Sequence, residues 1–143
     1  MMKRKCQGKP QHGFTLIELL VVLVILGLLA SLAGPKVISY LGGAKSDSVK
    51  LQIEEFGASL DLFKLETGRY PTTQEGLQAL VQAPSGLAGW NGPYLKKKVL
   101  PKDPWGNEYH YVSPGQHGLY DLSSLGADNR EGGDGDNKDL TNW

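Results

Sequence analysis

Cysteine is almost absent from this chain of 143 residues, because Cys6 is the only one. An intramolecular disulfide is therefore excluded, and with it the disulfide-stapled scaffolds that many small extracytoplasmic domains use. The length suits one modest domain. Such a small core without a disulfide needs another source of stability.

A net basic charge and a recognisable catalytic motif are also lacking. Lys and Arg together number 15 and so do Asp and Glu, so no basic field indicates a nucleic acid partner. The chain has three histidines and no phosphate-binding glycine loop or metal-hydrolase motif. His117, Asp121 and Ser124 could be combined into a triad, but three common residue types rarely meet its geometric demands. We predict a protein that is not an enzyme.

What the chain does contain is an apolar run from Phe14 to Ala33. A helix of that length spans about 30 Å, enough to cross a bilayer. Glu18 lies in its first turn, where an ionisable group indicates a function. A cut between Gly13 and Phe14 would create an amino group four residues before Glu18. Glu18 could then form an ion pair, either within the chain or with the amine of a neighbouring copy.

A secretory signal or a plain membrane anchor is the alternative interpretation of this segment. A signal peptide is cut after its apolar run, where Ala30, Ser31 and Ala33 would supply small residues. Neither alternative explains Glu18.

The N-terminal pattern resembles the prepilin signature of type IV pilins and pseudopilins: a short basic leader, Gly13 before Phe14, and then TLIELLVVLVIL. The resemblance implies that prepilin peptidase removes residues 1–13 and methylates the amine of Phe14, and that Glu18 is the assembly residue. Losing the four basic residues of the leader would leave 11 basic and 15 acidic residues, a net charge of about −4. The basic leader places the N-terminus in the cytoplasm and the remainder outside, which the resemblance implies is the periplasm.

Helical spacing resumes after Pro35 and continues to about Glu66. Pro35 and the pair Gly42–Gly43 are expected to bend this long helix. One face carries apolar residues at a 4-3-4-3 spacing, namely Val49, Ile53, Phe56, Leu60 and Phe63. The opposite face carries Leu51, Ala58, Leu62 and Leu65, which need cover either from the same domain or from another copy. The charged residues between the faces either pair between copies or remain solvated.

Shorter elements are predicted beyond Gly68, which should end the helix. Thr72 to Glu75 has capping-box spacing and predicts a second helix over about 73–83. Turn signals separate three candidate antiparallel strands, at Tyr94–Leu100, Tyr109–Val112 and Leu119–Leu122. The predicted fold class is α+β: a long N-terminal helix, membrane-spanning in its first half, packed on a small domain with a second short helix, a small antiparallel sheet and a metal-binding C-terminal loop.

The distal motifs resemble the major pseudopilin family of type II secretion systems. They are GRYPTT at 68–73, EGLQALV at 75–81, DPWGN at 103–107 and DLSSLGAD at 121–128. The implied organisation is a leader over 1–13, a transmembrane and filament-core helix over 14–34, and a periplasmic domain over 35–143. Within that domain the sheet is expected at about 94–122 and a calcium loop at about 123–143.

The resemblance implies a structural subunit that polymerises into a periplasmic pseudopilus and drives export of folded proteins across the outer membrane. The implied partners are other copies of the chain, minor pseudopilins at the tip, prepilin peptidase, an inner-membrane assembly platform, a cytoplasmic ATPase, the secretin and exoproteins. Two alternatives stay open. One is a type IV pilus subunit for adhesion or DNA uptake, and the other is a membrane-anchored calcium-binding module that never polymerises.

The C-terminal tail from Gly126 to Trp143 is rich in oxygen donors and glycine and contains neither His nor Cys. Such a tail suits calcium, which accepts six to eight oxygens in irregular geometry. A disordered acidic tail is the alternative, although Leu140 and Trp143 could dock the chain end. The resemblance to the family implies one Ca²⁺ ion, and from it we expect Asp128 and Asp136, then Asp134, as side-chain ligands and the Leu125 carbonyl as a backbone ligand.

Overall fold

The computed structural model describes residues 13–143, which divide into two compact units, one ending at Ser39 and the other formed by Tyr40–Trp143. The predicted leader therefore lies outside the described residues except for Gly13. A single α-helix, α1, runs from Leu16 to Thr67 with Pro35 inside it. In the first unit this helix is exposed at nearly every residue.

In the second unit, α1 buries the face that the 4-3-4-3 spacing predicts. All five of its apolar residues are buried: Val49, Ile53, Phe56, Leu60 and Phe63. The opposite face is exposed, with Leu51 at 67%, Leu62 at 44% and Leu65 at 81% of full exposure. The described residues of the domain therefore do not cover this opposite face of α1.

A three-stranded antiparallel sheet follows, composed of β1 (His110–Val112), β2 (Asp121–Ser124) and β3 (Leu140–Thr141) in the order β1-β2-β3. Tyr111 pairs with Leu122, and Ser124 pairs with Leu140. Tyr111, Leu122 and Leu140 are buried in one core with the inner face of α1. The predicted α+β fold, a long helix with a small antiparallel sheet, is confirmed.

The strand predicted at residues 94–100 is wrong, because the chain forms bends there. Lys96, Lys97 and Lys98 are consecutive and exposed, so the segment has no alternation that could give a sheet a buried face. Tyr94 is held instead by individual contacts. Its amide donates to the Leu80 carbonyl at 2.8 Å, and its hydroxyl bonds the Glu66 carboxylate at 2.5 Å.

The second helix predicted at about 73–83 is also wrong in type and length. Only a 3₁₀ helix, Leu77–Leu80, forms. Gly76 precedes it with φ 59° and ψ −166°, a conformation outside the right-handed helical region. The capping box does form, since the Glu75 amide donates to the Thr72 hydroxyl and the Thr72 amide donates to the Glu75 carboxylate. It closes a turn that Gly76 then interrupts.

Strand β3 was not predicted, and it makes the disordered-tail alternative wrong for the end of the chain. Asn142 reinforces the pairing with β2. The Leu122 backbone amide donates to Asn142 Oδ1 at 2.7 Å, and the Asn142 backbone amide donates to the Leu122 carbonyl at 3.0 Å. The terminal Trp143 ring stacks on the His117 ring at 4.1 Å between centroids. The chain end is docked on the domain.

Candidate functional site

The first candidate site is the N-terminus of α1, where Gly13, Phe14 and Glu18 lie close together in sequence and are all exposed. Thr15 caps the helix, because its hydroxyl accepts a hydrogen bond from the Glu18 amide at 3.3 Å and its carbonyl accepts from the amides of Glu18 and Leu19. Glu18 is thus the third residue of the helix, and its carboxylate complements the positive end of the helix dipole.

The capping role of Thr15 was missed from the sequence, although TLIE has the capping-box spacing. It supplies a local reason for an acidic residue at position 18 that needs no partner chain. It does not supply a cation, and the ion pairs of the described residues do not include Glu18. The first unit therefore presents a negatively charged group at the start of an apolar helix that is long and apolar enough to cross a membrane.

The second candidate site is the C-terminal tail loop, residues 125–139, whose base is fixed by a buried polar network. Asp103 is 4% exposed and Ser124 is fully buried. Asp103 accepts from the Ser124 hydroxyl at 2.7 Å and from the Asn107 amide at 2.8 Å. Asn107 Nδ2 in turn donates to the Gly126 carbonyl at 2.8 Å. The DPWGN turn thereby positions the start of the tail loop beside Leu125.

The loop closes where its two ends meet. The Ala127 amide donates to the Asp136 carbonyl at 2.8 Å. Gly126 has φ 68°, and a Cβ there would lie 2.7 Å from the same Asp136 oxygen, so only glycine fits this crossing. Gly133 shows a similar approach, since its Cβ would lie 2.6 Å from the Asn137 carbonyl oxygen. The glycines of the tail permit tight backbone contacts.

The predicted calcium ligands occupy different parts of this loop. Asp128 accepts from the Arg130 amide at 3.3 Å, Asp134 precedes a 3₁₀ helix at Gly135–Asn137, and the Asp136 carboxylate lies against Gly42 of α1. Across residues 13–143, the structure gathers no group of three or more His, Cys, Asp or Glu side chains that could hold a metal. The three aspartates therefore do not converge into one cluster.

Asp139 is a residue that the ligand prediction missed. Its Oδ2 accepts from the Gly132 amide at 2.9 Å, while its Oδ1 is buried without a hydrogen-bond partner among the described residues. An unsatisfied buried carboxylate oxygen is costly, and a cation would satisfy it. In the sequence, Asp139 is distinguished only by its place directly before the apolar Leu140. Leu140 is buried at the start of β3. The hard oxygen donors of the loop, with Asp139 included, fit a calcium ion that completes its shell with carbonyls and water.

The residues of the imagined triad are divided between two contacts. His117 Nδ1 lies 3.0 Å from Asp121 Oδ2, whereas the Ser124 hydroxyl is buried and donates to Asp103. Ser124 is therefore part of the network under the tail loop and not a partner of His117.

A long apolar helix followed by a small α+β domain is the architecture of a pseudopilin. The fold resembles the crystal structure of the major pseudopilin from the type 2 secretion system of enterohaemorrhagic Escherichia coli, with a TM-score of 0.62 and 32% identity over 78% of this chain and 89% of that chain. The model of the type II secretion system protein G family matches residues 36–143, and the prokaryotic N-terminal methylation motif matches residues 8–34. The chain belongs to the type II secretion system protein G family.

Relatives named type II secretion system core protein G extend the likeness to nearly the whole chain. The Pseudomonas aeruginosa protein is 50% identical over 96% of this chain and 98% of its own length. The Vibrio cholerae protein is 45% identical over 94% of this chain and 93% of its own. These matches confirm the function predicted from the distal motifs, a major pseudopilin subunit of a type II secretion system. The model of the type II secretion system protein G family covers the distal domain, and so disfavours the pilus alternative.

Proposed function

We propose that this subunit polymerises into a periplasmic pseudopilus whose growth drives folded proteins across the outer membrane. The observation that carries the proposal is that α1 exposes apolar surface and that Glu18 has no ion-pair partner among the described residues. Residues 16–33 of α1 are exposed and Glu18 is the only charged residue among them, and the distal apolar face leaves Leu51 and Leu65 exposed. Such surfaces are stable when they are buried against other copies.

Glu18 has a specific role in this proposal. Removal of the leader would create a positive amine at Phe14, and in an apolar bundle the Glu18 carboxylate of one subunit would pair with the Phe14 amine of its neighbour. The pair fixes the axial register of the added subunit. The subunit itself hydrolyses nothing, and a cytoplasmic ATPase acting through an inner-membrane platform supplies the energy.

The remaining partners are part of the same proposal. Prepilin peptidase cuts between Gly13 and Phe14 and methylates the new amine. The unassembled subunit is anchored once in the inner membrane with its domain in the periplasm. Minor pseudopilins cap the filament, which acts on exoproteins below the secretin.

The test compares Glu18→Ala with Ser31→Ala, a matched change at another exposed polar residue of the same helix. A single cysteine introduced in the first unit would be the only thiol of the processed chain, so it reports contacts between copies. We expect both variants to be processed, as read by mass spectrometry, but only Glu18→Ala to lose crosslinks and filaments. If Glu18→Ala forms crosslinks at the wild-type level, the proposed ion pair is rejected. If the wild type forms no crosslinks, the module that never polymerises is favoured.

We also propose that the tail loop binds one Ca²⁺ ion. The support is the partnerless buried oxygen of Asp139 together with the oxygen-rich loop that follows Leu125. Leu125 through its carbonyl, Asp128 and Asp139 would hold the ion, with Asp134 and Asp136 close by in sequence. The ion would neutralise clustered carboxylates in a domain that no disulfide closes.

Calcium titration calorimetry on the full chain in detergent tests this proposal. We expect one ion per chain, and an affinity lowered by about tenfold or more in Asp128→Asn and Asp139→Asn. Glu108→Gln, a matched loss of charge at an exposed residue outside the loop, should leave the affinity unchanged. Equal affinity in all variants would reject these ligands.

A further inference from the structure

Gly42 is buried in a stretch of α1 whose neighbours Leu41 and Gly43 are exposed. The group that covers it is the carboxylate of Asp136 from the tail loop. A Cβ at Gly42 would overlap Asp136 Oδ1 and would lie 3.1 Å from its Cγ and 3.4 Å from its Oδ2. A Cβ at Gly43 would meet nothing within 4 Å. Two adjacent glycines thus differ completely in what they touch.

The contact joins the closing point of the tail loop to the helix. Asp136 is the residue whose carbonyl accepts from Ala127 and completes the loop. Close to Gly42 along the same helix, the Lys45 ammonium lies 5.9 Å from the Trp105 ring centre. The helix segment 42–45 therefore contacts both the tail loop and the DPWGN turn that holds the base of that loop.

We propose that Gly42 is a docking notch for the Asp136 carboxylate, and that this contact couples the conformation of the tail loop to the helix segment 42–46. Glycine is needed because any Cβ would occupy the place of the carboxylate. Aspartate has a short side chain with two rotatable bonds, so a methyl group at position 42 would displace the carboxylate and leave the helix in place. The coupling to metal rests on the proposed calcium binding, whereas the docking contact does not.

Limited trypsin digestion of the full chain in detergent with EDTA tests the docking. Arg130 and Lys138 are exposed sites in the tail loop, and Lys96–Lys98 serve as an internal reference outside it. We expect Gly42→Ala to raise the rate of tail cleavage by about tenfold, because the loop opens more often, and Gly43→Ala to leave it unchanged. In an Asp136→Ala background, the two alanine variants should be cleaved at the same rate. Equal tail cleavage in Gly42→Ala and Gly43→Ala would overturn the proposal.

Amide hydrogen exchange tests the coupling to metal. Excess calcium should slow exchange at residues 43–46 in the wild type and should not do so in Gly42→Ala, although calorimetry still detects calcium binding to that variant. Helix protection that responds equally in both would contradict the coupling. If the wild type binds no calcium, the calcium proposal fails, and the digestion in EDTA still decides the docking.

Discussion

At the scale of single residues, the Arg69–Glu75 pair shows how a turn is held by charge. Arg69 donates to both oxygens of Glu75 at 2.7 Å, and Glu75 also accepts from the Thr72 amide at 2.8 Å. The hydrogen bonds from Arg69 lower the pKa of Glu75 to about 2 from its ordinary 4.5, against an opposing effect of burial. The turn before Gly76 is therefore organised by an ionised Glu75.

This pair predicts an acid-sensitive part of the stability. Because the pKa of Glu75 is lower in the folded chain, its contribution is complete above about pH 4.5 and is lost as the pH falls toward 2. Glu75→Gln should cost about 1–2 kcal/mol at neutral pH, a value that allows for the partial exposure of Arg69. The difference from wild type should shrink below pH 4.5. Urea denaturation at several pH values measures it.

Arg69→Met is the matched variant, because it removes the same pair from the other side. It should show the same pH-dependent loss, and the double variant should be no less stable than either single one. A Glu75→Gln difference that stays constant from pH 7 to 2 would mean that the pair does not hold the turn.

At the scale of secondary structure elements, Gly76 explains why the capping box was not followed by an α-helix. Its φ of 59° and ψ of −166° lie in a region that almost only glycine adopts. A Cβ there would have its nearest neighbour, the Thr73 carbonyl oxygen, at 3.8 Å, so the space is open. Gly76→Ala should therefore lower the unfolding free energy by about 1–3 kcal/mol through backbone strain alone.

Gly43→Ala is the control with the opposite expected sign. Gly43 lies inside α1 with open space around its Cβ position, so alanine should stabilise the helix by about 0.5–1 kcal/mol. Urea denaturation of the two variants gives both values. Gly76→Ala with wild-type stability would show that this turn can adopt an ordinary backbone conformation.

The sequence predicted best the element in which a regular apolar spacing repeats over many residues. Five apolar residues at regular spacing were enough to identify the buried face of α1, and Gly68, with φ 84°, follows the end of the helix at Thr67. Short elements depended on tertiary contacts. β3 has two residues, and it forms because Leu140 fills the core and Asn142 bonds Leu122.

The two candidate sites also differ in how far the sequence predicted them. Gly13, Phe14 and Glu18 form a local pattern that is visible in six consecutive residues. The tail loop depends on contacts between residues far apart in sequence, such as Asn107 with Gly126 and Asp136 with Gly42. Periodicity carries no information about such pairs, and therefore Asp139 and Gly42 were not predicted.

At the scale of the whole molecule, the second unit has no disulfide and a modest core, and its C-terminal loop lies directly on the network around buried Asp103. A metal ion that binds only the folded loop stabilises the fold by mass action, so the stability should depend on calcium concentration. A Ca²⁺ concentration 100 times the dissociation constant should add about 2.7 kcal/mol. For a domain of this size, the melting temperature should rise by roughly 10 °C or more relative to EDTA.

Thermal melts of the full chain in detergent, followed by circular dichroism across a calcium series, measure this dependence. Asp139→Asn should need about tenfold more calcium or higher for the same rise in melting temperature, because its amide carries no negative charge to attract the ion. Glu108→Gln should follow the wild-type curve, since its charge lies outside the tail loop. The shift in melting temperature should grow with the logarithm of the calcium concentration once the site is filled, because calcium binds the folded chain and not the unfolded one. A wild-type melting temperature that is the same in EDTA and in excess calcium would mean that the DPWGN network and the docked chain end hold the domain without a metal.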